Sequence, residues 1–321
     1  MLKKNIFITF CIAFLLCLFW DISAGISNFL MHFLFNHPSE LSSQILFSIT
    51  LPRILLALLT GAILSGSGCI MQNVFHNPLI DPYLLGISSG AALGCAISMG
   101  FLGGHLLFLC AFLGALFAVI CIIFFAQILN NSVLFLVLIG VIFSAFLGAI
   151  AGLIKFFVPP DVAQAIVIWL LGSLSLAQYS DVWLLCSVSA VGFFILFLLR
   201  FRINLLALSD VESISLGINP NKLRILCLIL ISIMCSASVS VSGTIGWIGL
   251  IVPHFARLVV GSNLLRLLPT SILFGAMLLY IMDFASKTIA STDLPVGSVC
   301  AIVGAPLFLV FLLTKRKNNG F

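Results

Sequence analysis

The chain has 321 residues, of which 62% are hydrophobic and only 7% are charged. An ordinary soluble domain carries roughly a quarter charged residues. No water-soluble fold could bury this much apolar surface, so the composition indicates a protein whose solvent is the lipid bilayer.

In hydrocarbon every backbone polar group needs a partner within the protein, which leaves helices or a closed barrel. The apolar runs are roughly 17 to 25 residues long and lack period-2 alternation, which is typical of spanning helices. We predict an all-α polytopic membrane protein with about ten transmembrane helices. The predicted spans are 5–30, 45–72, 83–103, 105–126, 132–157, 183–199, 222–241, 245–260, 269–290 and 296–313.

The first predicted span follows Lys3 and Lys4 and could be mistaken for a secretory signal peptide. Nothing like a small-residue cleavage site precedes a soluble domain, and further spans follow. We therefore expect an uncleaved first helix.

Residues 72–86, QNVFHNPLIDPYLLG, lie at the inner end of the second predicted span. Within them Pro78 and Pro82 each follow a short polar side chain, Asn77 and Asp81. Proline presets its own backbone angle and restricts its predecessor, so the pattern predicts a rigid turn. The functional hypothesis for the same residues is that this turn is a gate at the mouth of a pore.

Two stripes of small residues recur at every fourth position. They are Gly86, Gly90 and Gly94, and then Gly140, Ser144, Gly148 and Gly152. Such stripes either let helices approach closely or form the wall of a cavity. The sequence leaves both interpretations open.

Two segments are too polar or too broken to span. Residues 158–180 open with Pro159, Pro160 and Asp161, which favours a short helix at the outer surface or re-entering between spans. Residues 200–224 form the longest polar stretch, on the inner side, and a loop of this size holding acids and bases indicates contact with another component.

The charges favour ten spans with both termini in the cytoplasm. The uncertain crossing is 245–260, which is short and contains a proline, a histidine and an arginine. With ten spans, only Arg53, Lys155 and Lys287 of the 14 lysines and arginines lie outside, whereas without this crossing the 14 divide evenly. The positive-inside bias therefore supports the crossing.

Asp283 and Lys287 lie four residues apart within the ninth predicted span, on one helical face. At this spacing the two charges partly neutralise each other in lipid. The structural interpretation is an ion pair, and the functional interpretation is a proton relay through Asp283.

The sequence offers no motif for covalent chemistry. Its ten cysteines are scattered singly, and His32, His37 and His105 match no metal-site spacing, so we expect no metal site and no catalytic residues. There is no GxxxxGK[ST] phosphate loop. We therefore expect no cofactor bound by this chain, with any ATP bound by a separate polypeptide.

Four blocks, at residues 51–94, 205–218, 242–261 and 294–308, carry recognisable motifs such as NPLIDP and SGTIGWIGLIVPHF. Together they resemble the FecCD-type permease family, the membrane subunits of ABC importers for ferric siderophores, ferric citrate, haem and cobalamin. The resemblance runs over nearly the whole chain and implies the type II ABC importer permease fold.

The resemblance implies one transmembrane permease domain over residues 1–321, containing a cytoplasmic coupling segment at 204–224. It assigns coupling to an ATPase to Asn204, Leu205, Asp210, Glu212, Leu216 and Gly217. It assigns the gate and pathway to Gln72, Asn73, Asn77, Pro78, Asp81, Pro82, Gly140, Ser144 and Gly148. It assigns docking of a binding protein to Arg53 and Lys287.

The chain departs from the family pattern at several of these positions. Ser209 and Asp210 stand where the family usually has a Gly-Glu pair, so the acid is kept but is shorter. Lys287 stands where arginine is typical, and Thr50 replaces a second arginine. Lysine lacks the bidentate grip of arginine on a carboxylate.

The sequence thus predicts the permease subunit of an ATP-driven importer of an iron(III) chelate, of siderophore or citrate type, in a bacterial inner membrane. The alternative cargo is haem or cobalamin. Expected partners are two copies of an ABC ATPase subunit, a periplasmic substrate-binding protein, a second permease subunit, identical or related, and the lipid bilayer, with no nucleic acid. The rivals are a proton-coupled secondary transporter and a membrane enzyme or scaffold, the latter unsupported by any cluster of acids or histidines.

Overall fold

The computed structural model describes residues 9–21, 45–129, 133–208, 210–290 and 292–319. Over these residues the chain is helical and contains no strand, which confirms the all-α prediction. In chain order the helices are α1 (Thr9–Asp21), α2 (Leu46–Val74), α3 (Ile87–Phe101), α4 (Leu107–Ile128), α5 (Val133–Phe157), α6 (Pro160–Leu170), α7 (Tyr179–Leu205), α8 (Asp210–Ser215), α9 (Pro220–Ser242), α10 (Ile248–Val260), α11 (Leu264–Thr288) and α12 (Val296–Asn319).

Six of these helices are long and apolar enough to cross a membrane, namely α2, α4, α5, α7, α9 and α11. They coincide with six of the ten predicted spans. The other four fall on α1, α3, α10 and α12, whose apolar parts are shorter, so the count of ten stays a prediction. Residues 5–8 and 22–30 of the first predicted span lie outside the described part of the chain.

Helix α2 is central, because it packs against α7, α9, α10 and α11. Its tightest contacts are made through glycines, whose lack of a side chain lets backbones approach closely. A methyl group added at Gly61 would overlap the carbonyl oxygen of Gly275 on α11, and one at Gly68 would overlap that of Gly249 on α10. These three helices therefore meet backbone to backbone.

The two stripes of small residues serve different purposes. On α3, a methyl group at Gly90 or Gly94 would overlap a carbonyl oxygen of α4, so this stripe is a packing surface. On α5, nothing lies within 4 Å of such a group at Gly148 or Gly152. Packing therefore describes the first stripe, whereas the second borders open space at these two positions.

Two of the connections between helices lie next to each other: residues 75–86, which include a 3-10 helix at Pro82–Leu85, and residues 243–247. They meet where the Ile245 amide donates to the Tyr83 hydroxyl at 3.3 Å. The second segment is also fixed to α6, because the Thr244 hydroxyl donates to the Leu170 carbonyl. Helix α6 itself begins at Pro160, which confirms the short helix predicted there.

Candidate functional site

A cavity of about 640 Å³ lies between α3, α5 and the connections at residues 75–86 and 243–247. Non-helical backbone at membrane depth is tolerated where it is buried in protein or borders a cavity, which fits this position. Apolar residues form most of the wall. The polar side chains in the lining are Asp81, Tyr83, Ser88, Ser89, Ser144 and Lys155.

Three of the nine predicted gate and pathway residues, Asp81, Ser144 and Gly148, line this cavity. The remaining six are Gln72, Asn73, Asn77, Pro78, Pro82 and Gly140, and they are not part of the lining. A methyl group at Gly140 would overlap the Leu84 carbonyl, so Gly140 packs against the turn instead. The gate and pathway roles of all nine stay predictions.

The turn predicted around Asn77 and Asp81 is confirmed. The Asn77 side-chain oxygen accepts from the Leu79 amide at 2.9 Å, and Asp81 Oδ1 accepts from the Tyr83 amide at 2.9 Å. Each polar side chain thus fixes the backbone two residues ahead, which is the usual role of Asn and Asp in turns.

Two side chains attach this turn and the end of α2 to α10. The His254 ring nitrogen lies 2.9 Å from the Pro78 carbonyl oxygen. The Gln72 amide nitrogen donates to the carbonyls of Gly249 and Leu250, at 3.3 and 3.2 Å. A shift of α10 would therefore move the turn, and the reverse also holds.

Asp81 is the only acid among the described residues that line the cavity, and Lys155 is the only base. Burial raises the pKa of Asp81 to about 6, although the hydrogen bond from the Tyr83 amide lowers it in part. The charge of the cavity wall therefore changes in the weakly acid range.

Sequence reasoning missed Tyr83, Ser88, Ser89, Lys155 and Trp247 as lining residues. Four of them fall inside the blocks that carry the family resemblance, which was the available signal. Trp247 also has a positive φ of 73°, which is unusual for a bulky residue and is not visible in sequence.

A group of five charged residues, the α2–α11 charge cluster, comprises Asp21, Arg53, Asp283, Lys287 and Asp293. Arg53 Nε donates to both oxygens of Asp283 at 3.0 and 3.1 Å, and its Nη1 donates to Asp293 at 2.6 Å. Lys287 Nζ lies 2.8 Å from Asp21 and 3.6 Å from Asp283. The cluster joins α1, α2 and α11 to the segment before α12.

The predicted Asp283–Lys287 pair is therefore confirmed, but the nearer partner of Asp283 is Arg53 on another helix. Arg53 is only 6% exposed, and two of its nitrogens already have carboxylate partners. Docking of a binding protein through Arg53 and Lys287 stays a prediction, and Arg53 would have to exchange a partner to take part.

The coupling segment, residues 204–224, contains the short helix α8. Arg224 on α9 donates from both terminal nitrogens to the Asp210 carboxylate, at 2.6 and 3.0 Å. The Ser213 hydroxyl donates to the Leu205 carbonyl at 3.1 Å, and the Asn204 side chain accepts from the Leu264 amide at the start of α11 at 3.0 Å. The segment is thus held by α7, α9 and α11.

Several apolar residues of this segment are exposed. Val211, Ile214 and Leu216 are 79%, 62% and 57% exposed, and only Leu216 was predicted. Glu212 and Gly217, which were also predicted, are exposed as well. Exposed apolar residues grouped on a polar segment are typical of an interaction surface.

The model of the FecCD transport family matches residues 7–314. Among known proteins, the chain is 54% identical to an iron chelatin transport system permease protein of Helicobacter pylori (strain 26695), over 89% of this chain and 87% of that one. It is 40% identical to the hemin transport system permease protein HmuU of Yersinia pestis, over 85% and 84% of the two chains.

A solved structure of a metal-chelate type ABC transporter, in an inward-facing conformation, superposes with a TM-score of 0.85. It is 31% identical to this chain, and the match covers 97% of this chain and 99% of that one. Family model, relatives and fold agree over the same residues, and the chain is a member of the FecCD transport family, whose members are membrane permease subunits of ABC transporters rather than catalytic subunits.

Proposed function

We propose that the chain is the permease subunit of an ATP-driven importer and that the cavity lined by Asp81, Ser144 and Gly148 is its share of the pathway. The observation that carries the proposal is a large cavity with polar groups inside a bundle of apolar helices. Polar and charged groups are expensive at membrane depth and mark transport paths when they face a cavity.

A second permease subunit, identical or related, would complete the wall of this cavity. Val141 and Leu84 line the cavity and are 54% and 36% exposed in the single chain. A partner packed on this face would cover them and enclose the pathway between two subunits.

The energy would come from a separate ABC ATPase, present in two copies, that binds the exposed apolar residues of the coupling segment. Residues 204–224 would then lie in the cytoplasm, and with ten spans so would both termini, in agreement with the positive-inside distribution. A periplasmic binding protein would deliver the cargo at the opposite face, near Arg53 and Lys287, across a bacterial inner membrane.

An iron(III) chelate, of siderophore or citrate type, is the cargo we favour, since the relative at 54% identity is an iron chelatin permease. Haem is the alternative that a specific comparison supports, through the hemin permease at 40% identity. Cobalamin rests on the family resemblance alone.

The test is reconstitution of the permease with its ATPase in proteoliposomes, with the loaded binding protein on the other side. We expect radiolabelled iron chelate to cross only when ATP reaches the ATPase side, and an ATPase variant unable to hydrolyse ATP to be inactive. Uptake that persists without ATP and collapses with a protonophore would instead support the secondary transporter. Uptake of haem but not of ferric citrate or a ferric hydroxamate would change the cargo and leave the mechanism standing.

A further inference from the structure

We infer that Asp210 is an internal anchor that holds the coupling helix α8 against α9, and that it does not itself contact the ATPase. The inference rests on the proposed function, since it assigns α8 a role in coupling. It changes the role of one residue that the family resemblance assigned to the ATPase surface.

The first argument is the geometry of the ion pair. Arg224 donates from Nη1 to Oδ2 and from Nη2 to Oδ1 of Asp210, so each carboxylate oxygen accepts one hydrogen bond. Bidentate arginine–carboxylate pairs are among the stronger polar contacts in proteins. Each oxygen of Asp210 thus already has one partner, and a partner subunit could reach only the lone pairs that remain.

The second argument is burial. The Arg224 side chain is 9% exposed, whereas that of Asp210 is 52% exposed. A buried guanidinium that loses its counter-ion is left with an uncompensated charge, which is strongly unfavourable. Arg224 therefore depends on Asp210 as its counter-ion. The hydrogen bonds from Arg224 also lower the pKa of Asp210, which favours the charged carboxylate.

The third argument is the division of α8 into two sides. Asp210 and Ser213 attach to the chain itself, since Ser213 is fully buried and bonds to Leu205. Val211 and Ile214 point away and are exposed. A helix of only six residues is not stable alone, so it depends on such attachments. Force applied to Val211 and Ile214 would reach α9 through Asp210 and Arg224.

Helix α9 in turn packs against α2, α4 and α7, which makes it a direct route into the bundle. An anchor at the start of α8 therefore does more than hold a loop in place. If the anchor holds, a displacement of the exposed side of α8 moves α9. Without it, the coupling segment would bend and α9 would stay in place.

The test is a double-mutant cycle in the complete transporter, with Asp210→Asn, Arg224→Gln and the double variant. We expect each single variant to lower the cargo moved per ATP by about tenfold, which lies within the usual range of coupling between two sites. The ATPase should stay bound to the purified permease in both variants. The double variant should be little worse than either single one, because both remove the same contact. The charge swap Asp210→Arg with Arg224→Asp should recover part of the coupling.

Two matched controls separate the roles. Arg266→Gln removes an exposed charge from the start of α11, outside the coupling segment, and should leave coupling unchanged. Ile214→Ser changes the exposed side of α8 and should reduce the amount of ATPase that stays bound. If Asp210→Asn behaves like Ile214→Ser while Arg224→Gln does not, Asp210 is an ATPase contact and the anchor is wrong.

A second measurement is independent of transport. Hydrogen exchange of residues 210–217 in the purified permease should accelerate by roughly ten- to a hundredfold in either single variant, as expected for loss of a charged hydrogen bond. Unchanged exchange in both would overturn the anchor even if coupling were affected. A wild-type complex that moves no cargo with ATP would contradict the proposed function, and the exchange measurement would still decide the anchor. If the charge swap does not fold, the Asn and Gln variants decide alone.

Discussion

Arg53 on α2 binds Asp283 on α11 through a single nitrogen, Nε, which donates to both carboxylate oxygens at 3.0 and 3.1 Å. The Asp283 side chain has no exposed surface. The pair therefore joins two of the most extensively packed helices of the bundle at a site where an unmatched charge has no access to water.

Replacing Asp283 with Asn should mainly destabilise the protein. Breaking one side of a buried ion pair typically costs about 3–5 kcal/mol, because the remaining charge stays buried. Thermal unfolding of the purified protein in detergent measures the loss, and Asp161→Asn, at an exposed acid on α6, is the control. Normal stability together with a selective loss of pH-dependent uptake would favour the proton relay instead.

The two glycine stripes make a matched pair for substitution by alanine. At Gly94 the added methyl group would overlap the Cys110 carbonyl, and overpacking of this kind costs about 1–3 kcal/mol. At Gly148 the methyl group meets nothing within 4 Å, and alanine is the better helix former, so no stability should be lost. Melting temperatures of the two variants check this, and equal losses would mean that α5 packs against something at Gly148.

Asp81 predicts a specific pH dependence of stability. Its pKa is raised in the folded protein to about 6, so the folded state binds a proton that the unfolded state releases between about pH 4 and 6. The stabilisation is fully present below the ordinary pKa and is lost as the pH rises through 6, with a slope of at most about 1.4 kcal/mol per pH unit. Asp81→Asn keeps the oxygen that accepts from the Tyr83 amide and should remove this slope. Parallel curves for wild type and variant, from unfolding in detergent between pH 4.5 and 7, would show that Asp81 titrates normally.

Gly217 should be sensitive through its backbone and not through crowding. Its φ is +79°, while a methyl group added there meets nothing within 4 Å. A β-branched residue in this conformation costs roughly 1–3 kcal/mol, which is enough to disorder a helix of six residues.

We therefore expect Gly217→Val to insert normally but to lower the cargo moved per ATP. Gly217→Asn should behave as wild type, since asparagine tolerates left-handed backbone. Normal coupling in Gly217→Val would show that the left-handed backbone at Gly217 is not needed for coupling.

The sequence predicted the long helices well, because a run of apolar residues has few alternatives in lipid. Helix ends were predicted less well: α7 was predicted as 183–199 and spans Tyr179–Leu205, and α11 begins at Leu264 instead of 269. The starts of α3 and α10, predicted at 83 and 245, lie at Ile87 and Ile248. The reason is local backbone geometry: Gly86 and Trp247 adopt positive φ just before these helices, and apolar composition does not reveal it.

The sequence also did not predict which charged residues pair across the bundle. Helical spacing identified Lys287 as a neighbour of Asp283, but not Arg53, which is 230 positions away. Asp210 and Arg224 are 14 residues apart, which along one helix would separate them by about 21 Å, so helical spacing does not predict their contact. In both cases tertiary packing chooses the partner, and a single sequence records only that charges exist on each side.

The glycine contacts of α2 limit how the molecule can change shape. Where Gly61 meets Gly275, and Gly68 meets Gly249, no side chain lies between the backbones that could switch rotamer and absorb a displacement. Helices α2, α10 and α11 should consequently move together as one rigid body. Bending would then be concentrated where non-helical backbone joins these helices to their neighbours, as at residues 243–247.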